Sequence, residues 1–305
     1  MQRRLDEVEC TYEALSYAWG DTNSLSSSIE FPKGSLQITN NLDVALRQLR
    51  SETEKRTLWI DAICINQRDD TEKGHQITLM GEIYRKATVV IMWLGQSTVH
   101  TPFGLEILSF LTGDEPFDNN VPWKCRSPEL LCEGLKDVLH RDYFNRVWVV
   151  QEIALARRVQ LCIGNHQICW KRGSRAYMFL NRMKLAEISP QWEQAGLVAI
   201  TMRPLLEVLE HMVMNTSQQI ERRTRNDVLD YIHNLRHRQA TDPRDMIFGL
   251  LALDPETLGP DFQPDYRLSK EEVFLRFSNR YLESLRKSLS DVDVKLGEKL
   301  KSKSN

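Results

Sequence analysis

The stretch Leu58 to Gln67, LWIDAICINQ, constrains this chain more than any other. It is apolar at both alternations, so a strand built from it buries both faces, and such strands occur where helices cover both sides of a parallel sheet. One carboxylate, Asp61, interrupts the run. An unpaired carboxylate in a dry interior is too costly to persist. Asp61 is therefore expected near the carboxyl end of the strand, where open α/β sheets gather ligands, or as a cap on the backbone N–H groups of a neighbouring loop. Asn66 and Gln67 close the run and can either hydrogen-bond a ligand or tie down their own loop.

The flanking chain supplies the rest of an α/β alternation. Tyr12 to Tyr17 (YEALSY) reads as a first strand, running into the loop Ala18-Trp19-Gly20-Asp21, and residues 22 to 37 read as a Ser-rich surface loop. Asn40 or Asn41 is expected to cap a helix with Leu42, Ala45, Leu46 and Leu49 on one face. After the Leu58 strand and a polar RDDTEKG loop, His75 to Ala87 has helical spacing, with Ile77, Met80, Tyr84 and Ala87 in line, and Thr88 to Leu94 reads as a third buried strand. Tyr84, Met80 and Trp93 are assigned to the core. Thr101-Pro102 and Ser127-Pro128 mark two further helix starts, Gly113 closes the first, and Tyr143 to Ala156 reads as another helix. Val159 to Ile163 then forms a strand that turns at Gly164-Asn165 into a return strand ending near Trp170.

This pattern predicts a doubly wound parallel sheet over residues 1–170. A helical region over 171–289 follows, with starts at Asn226 and Asp242-Pro243 and a Ser269/Glu272 capping box. Residues 290–305 are lysine-rich and read as a disordered tail, truncated or divergent.

Composition excludes several classes. A net charge of −2 makes no bulk electrostatic claim on nucleic acid or anionic membrane. The arginines at 222, 223, 225, 236, 238 and 244 alternate with Glu221, Asp227, Asp230, Asp242 and Asp245, as on a solvated, salt-bridged helix face. No stretch approaches the roughly 20 apolar residues of a membrane span, and the N-terminus has no apolar signal core. The six cysteines (Cys10, Cys64, Cys125, Cys132, Cys162, Cys169) suit reduced, buried thiols in a cytoplasmic protein. Cys162, His166 and Cys169 lack a fourth ligand, so no metal is assigned.

Six blocks in order carry a resemblance: YEALSYAWGD at 12–21, LWIDAICINQ at 58–67, GHQITLMGEIYRKATVVIMWLG at 74–95, RVWVVQEIALA at 146–156, DPRDMIFGLLAL at 242–253 and PDY at 264–266. With them the chain resembles the heterokaryon-incompatibility (HET) domain family of filamentous fungi. That resemblance implies self/non-self recognition leading to programmed cell death, and a flavodoxin-like fold similar to TIR (Toll/interleukin receptor) domains. Some TIR domains cleave NAD at the nicotinamide ribosyl bond, using a glutamate in a W-x-x-x-E pattern. Trp148 and Glu152 stand at that spacing here. The resemblance thus implies NAD as substrate rather than cofactor, a homo-oligomer on activation and an upstream recognition protein.

The residues themselves leave two readings open. Trp148 and Glu152, four apart, share a helix face. In one reading Glu152 is catalytic: nicotinamide leaves NAD as a neutral molecule and needs no general acid, so one carboxylate that stabilises the ribosyl cation suffices, and Ser16, Tyr17, Trp19, Gly20, Asp61, Asn66, Gln67 and Trp148 line the substrate site. In the other, Glu152 salt-bridges Arg146, Arg157 or Arg158 on a helix surface, Trp19 is a lid over the core, and the chain is a non-catalytic module that acts by assembly.

Overall fold

The computed structural model describes residues 11–21, 25–32, 34–117, 120–172, 174–214 and 228–302. β1 (Glu13–Tyr17) is followed by an antiparallel hairpin, β2 (Leu25–Phe31) and β3 (Gly34–Thr39), where a surface loop was expected. The Ser-rich strand β2 pairs its backbone with β3, so it needs no strong apolar signal of its own. α1 (Asn40–Leu49) is capped by Thr39, not by either asparagine: the Thr39 hydroxyl accepts from Leu42 N at 3.4 Å.

The LWIDAICINQ stretch departs most from its reading. Only Leu58 and Trp59 form a strand, β4, and Asp61–Cys64 is a short helix, α2. A brief run that is apolar on every side fits a buried helix turn as well as a buried strand, and periodicity does not separate them. α3 (Asp70–Lys86) begins five residues earlier than His75, because the Asp69 side chain accepts from Thr71 N and Glu72 N and so caps the first turn. β5 (Val89–Trp93) follows, then α4 (Thr101–Thr112), α5 (Pro122–Cys125) and α6 (Pro128–Leu139). Ser127 caps α6 as expected; Thr101 lies inside α4 and donates to Asp137 at 2.5 Å. The helix expected over Tyr143 to Ala156 is split into a 3-10 turn, Asp142–Asn145, and α7 (Trp148–Ala154). β6 (Arg158–Ile163) and β7 (His166–Lys171) form the expected hairpin.

The sheet order is β4-β1-β5-β6-β7, parallel except for β7. With the chain winding from β1 to β4 on one side and then to β5 and β6 on the other, this is a doubly wound α/β sheet whose crevice opens between the carboxyl ends of β1 and β5. Its two faces separate the core. Leu15, Tyr17, Ile91 and Trp93 pack with Leu42, Ala45 and Leu49 of α1, while Ala14, Val90 and Met92 face Ile77, Met80 and Tyr84 of α3 and the apolar side of α7.

Past β7 the chain is helical: α8 (Ser174–Glu187), α9 (Pro190–Gln194), α10 (Arg203–Met214), α11 (Val228–Asn234), α12 (Asp245–Phe248), α13 (Pro255–Leu258) and α14 (Lys270–Ser302). The expected start at Asn226 lies outside the described residues, as do Arg222, Arg223 and Arg225. Ser269 and Glu272 form the expected reciprocal box, Ser269 N to the Glu272 carboxylate at 2.7 Å and Glu272 N to the Ser269 hydroxyl at 3.2 Å. α14 continues to Ser302 where a disordered tail was expected from 290; leucine, lysine and glutamate are all good helix formers, and lysine content alone does not end a helix.

This helical region belongs to the same core. Arg238 is not on a solvated face but buried, donating to Glu207 at 3.0 Å and to Phe144 O at 2.6 Å, and Val147 N donates to Gln239 O at 3.0 Å. α3 meets it through glycine: a Cβ on Gly81 would lie 2.5 Å from the Ala252 Cβ, and one on Gly74 would lie 2.6 Å from Pro264 O. Cys162 is buried, but Cys64, Cys125 and Cys169 are exposed, contrary to expectation; Cys169, for one, falls on the outward alternation of the edge strand β7. Among the described residues no helix is long and apolar enough to cross a membrane.

Candidate functional site

At the carboxyl end of β1 the strand alternation sends Ser16 toward α7 and Tyr17 toward α1. The Ser16 hydroxyl donates to the Glu152 carboxylate and lies 2.7 Å from the Tyr143 hydroxyl, with all three side chains almost wholly buried. α7 holds Glu152 at this point because its apolar residues Val149, Val150 and Ile153 are sunk in the core, which leaves the glutamate no route to the surface.

Next to this cluster, Asp61 stands at the head of α2. Its carboxylate accepts from Ala62 N, the next residue of α2, at 2.7 Å and from Trp19 Nε1 at 2.9 Å, so it bridges the loops that follow β1 and β4. Arg146, leading into α7, donates to Tyr17 O and is the cation nearest in influence to both carboxylates.

Burial dominates the electrostatics. It pushes the Glu152 carboxyl up to about 7; the Asp61 charge adds to the rise, while Arg146 and the Ser16 hydrogen bond oppose it. The Asp61 carboxyl is raised as well, again by burial, with Arg146 and Trp19 pulling the other way. The hydroxyls of Tyr17, Tyr84 and Tyr143 are all raised by burial and by these carboxylates, so they stay protonated. The Tyr84 hydroxyl is buried without a hydrogen bond of good geometry, yet lies close enough to Glu152 to help hold its charge.

The structure thus brings together Ser16, Tyr17, Trp19, Asp61 and Glu152 from the expected set, and adds Tyr143, Arg146 and the Tyr84 hydroxyl. Tyr84 was assigned to the core by its helical spacing, and it does pack edge-on against Trp59 at 5.5 Å. Nothing in the spacing tells which core tyrosine turns its hydroxyl toward a carboxylate. Arg146, expected as a surface partner of Glu152, is instead committed to the backbone of β1.

The other expected residues point elsewhere. Trp148 does not join Glu152: its Nε1 donates to Asp245 at 3.0 Å, and the Tyr266 hydroxyl donates to the other oxygen of the same carboxylate. Lys73 sits 3.8 Å over the Tyr266 ring, and Arg244, paired with Asp242, holds the carbonyls of Tyr266 and Leu268 at 2.6 Å each. The downstream blocks DPRD and PDY are therefore clamped onto Trp148. Gln67 donates to Asp61 O at 3.2 Å and Asn66 accepts from Arg68 N at 3.2 Å, so both tie down their own loop. Gly20 takes a positive φ of 74° at the turn after Trp19, where Asn41 donates to Ala18 O.

Comparison with known proteins agrees with the blocks that organise this site. Residues 12–152 match the family described as Heterokaryon incompatibility protein (HET). A Neurospora crassa protein described as Heterokaryon incompatibility protein 6, OR allele, is 28% identical over 313 aligned residues, which cover 85% of this chain and 45% of the relative. The chain thus spans about half the length of the curated relative it matches. No solved structure matches it significantly.

Proposed function

From the premise that this chain is a HET-domain protein, the domain spanning residues 12–152, we propose that it serves fungal self/non-self recognition and programmed cell death, and that it does so as an NAD glycohydrolase with a TIR-like fold. The observation that carries the enzymatic reading is the position of Glu152: a buried carboxyl raised to about 7, hydrogen-bonded to Ser16 at the switch point of a doubly wound sheet.

In the reaction, the bond between ribose C1′ and the nicotinamide nitrogen breaks with both electrons leaving on nitrogen, so the cationic ring departs neutral and positive charge grows on the ribose. Water adds at C1′ and releases a proton, giving ADP-ribose and nicotinamide. Ionised Glu152 stabilises the ribosyl charge; Ser16 orients the carboxylate; Asp61 and Trp19 border the approach. Glu152 is 1% exposed, so turnover requires the loops around it to open, and we assign that opening to an upstream recognition protein or to a second copy of the chain.

The complete burial of Glu152 favours a second reading, in which the cluster is a polar brace and the chain signals by assembly without turnover. Nicotinamide release from NAD decides between them. Glu152→Gln is expected to retain the fold and to lower turnover about a hundredfold or more, the scale of losing one preorganised electrostatic contact. Absence of nicotinamide release by wild type across a wide range of protein concentration, or wild-type turnover by the variant, sinks the catalytic assignment.

A further inference from the structure

The two edges of the central sheet are unlike. β4 ends it on one side with only two residues, too short a row of backbone groups to take up another strand. β7 ends it on the other side with six, His166–Lys171, held in unbroken register against β6 with neither a bulge nor a proline. Folded chains blunt an open edge with shortness, proline, a bulge or lysine, and β7 has only Lys171, at its last residue.

The hydrogen bonds of β6 fix which backbone groups of β7 face outward. Leu94 N donates to Cys162 O at 2.9 Å, so Arg158, Gln160 and Cys162 turn their backbone toward β5; Arg172 N donates to Arg157 O at 3.0 Å, so the alternate residues turn toward β7. Opposite Arg158, Gln160 and Cys162 stand Lys171, Cys169 and Gln167. The N–H and C=O groups of Gln167, Cys169 and Lys171 therefore point out of the sheet, and among the described residues no strand lies beyond them. The side chains of the same residues are exposed, while Ile168 and Trp170 between them are buried, Trp170 against Phe179 of α8.

We propose that β7 is an interface between two copies of this chain, each β7 pairing antiparallel with its equivalent across a two-fold axis at Cys169, so that the two sheets run on as one. The occupant is a second β7 because the register is self-complementary. With Cys169 opposite Cys169 of the second copy, Gln167 falls opposite Lys171, and the outward backbone groups of these residues meet one another. The charges fit in the same register: the basic end of one β7, where Lys171 lies opposite Arg158, meets the neutral end of the other, where Gln167 lies opposite Cys162. The two lysines then stay four residues, about 13 Å, apart along the seam. This pairing does not rest on the reading of Glu152, and its tests read association rather than turnover.

Sedimentation of the whole chain under reducing conditions is expected to show a dimer that dissociates on dilution. Gln167→Lys sets like charges opposite each other at both ends of the seam and is expected to weaken the dimer about fivefold; adding Lys171→Glu makes both pairs opposite in sign and is expected to recover the affinity. Both positions are exposed, so neither change touches the core. Directly opposed residues that exchange hydrogen bonds have Cα atoms about 5.5 Å apart, within disulfide reach, so mild oxidation is expected to join the copies through Cys169. A wild type that stays monomeric at every concentration, a Gln167→Lys dimer as tight as wild type, no recovery on adding Lys171→Glu, or as much covalent dimer from Cys169→Ser as from wild type would each overturn the proposal.

Discussion

Glu152 is held in a state that costs the fold stability. In the unfolded chain its carboxyl loses its proton near the ordinary value of 4.5, whereas in the folded chain it keeps the proton up to about 7. Above 4.5 the folded state therefore binds more protons than the unfolded one, and stability falls as pH rises toward 7. A shift of that size corresponds to up to about 3 kcal/mol, fully lost above pH 7. Glu152→Gln removes the titration while keeping an acceptor for Ser16. Denaturant unfolding from pH 4 to 8 is expected to show the variant level with wild type at the acid end and more stable at pH 8. A wild-type stability that climbs between pH 5 and 7 in step with the variant's would mean that the carboxyl is not held protonated. Such a cost at one residue fits a group kept for chemistry or for a switch rather than for holding the fold.

At the scale of elements, the contact between α3 and the downstream segment is made by what Gly81 lacks. Its missing Cβ lets Ala252 approach to 2.5 Å of the position that atom would take. Gly81→Ala is expected to destabilise by about 1–3 kcal/mol, as overpacking does, although alanine is the better helix former. Ala252→Gly placed in the same chain should recover most of that loss. If thermal melts of the double variant stay as low as those of Gly81→Ala alone, the close approach is not the cause. The same joint explains Trp148: the Asp245 carboxylate takes donors from Trp148 and from Tyr266, so α7 is fastened from behind by the downstream segment.

For the whole molecule, these fastenings join the sheet and the helical region through one core, and the two are expected to unfold together. Arg238 lies inside the structure with its donors on Glu207 and on Phe144 O, and Arg146 passes the connection on to the backbone of β1. A fragment of residues 1–172 would leave Trp148, the Gly81 face of α3 and the carbonyls around Arg146 without their partners. It is expected to lack the cooperative melt expected of the intact chain, as followed by circular dichroism. A fragment that melts sharply within a few degrees of the whole would show that the sheet stands alone.

The alternation of apolar runs with amphipathic stretches was enough to read the strands at β1, β5, β6 and β7, the helices α1, α4, α6 and α14, and a doubly wound sheet, because each depends on local periodicity and on capping side chains such as Ser127 and the Ser269–Glu272 pair. The W-x-x-x-E block singled out Glu152, but only its partners in space, Ser16 from β1 and Tyr143 from the turn before α7, show that it is buried and raised in pKa. Long-range packing likewise decided that LWIDAICINQ is a two-residue edge strand and a helix turn, that Trp148 serves the downstream segment instead of the site, and that Arg238 is interior. These outcomes depend on which groups far apart in the chain compensate one another's desolvation. Spacing along a sequence carries no record of that pairing; burial and hydrogen bonding in the folded chain decide it.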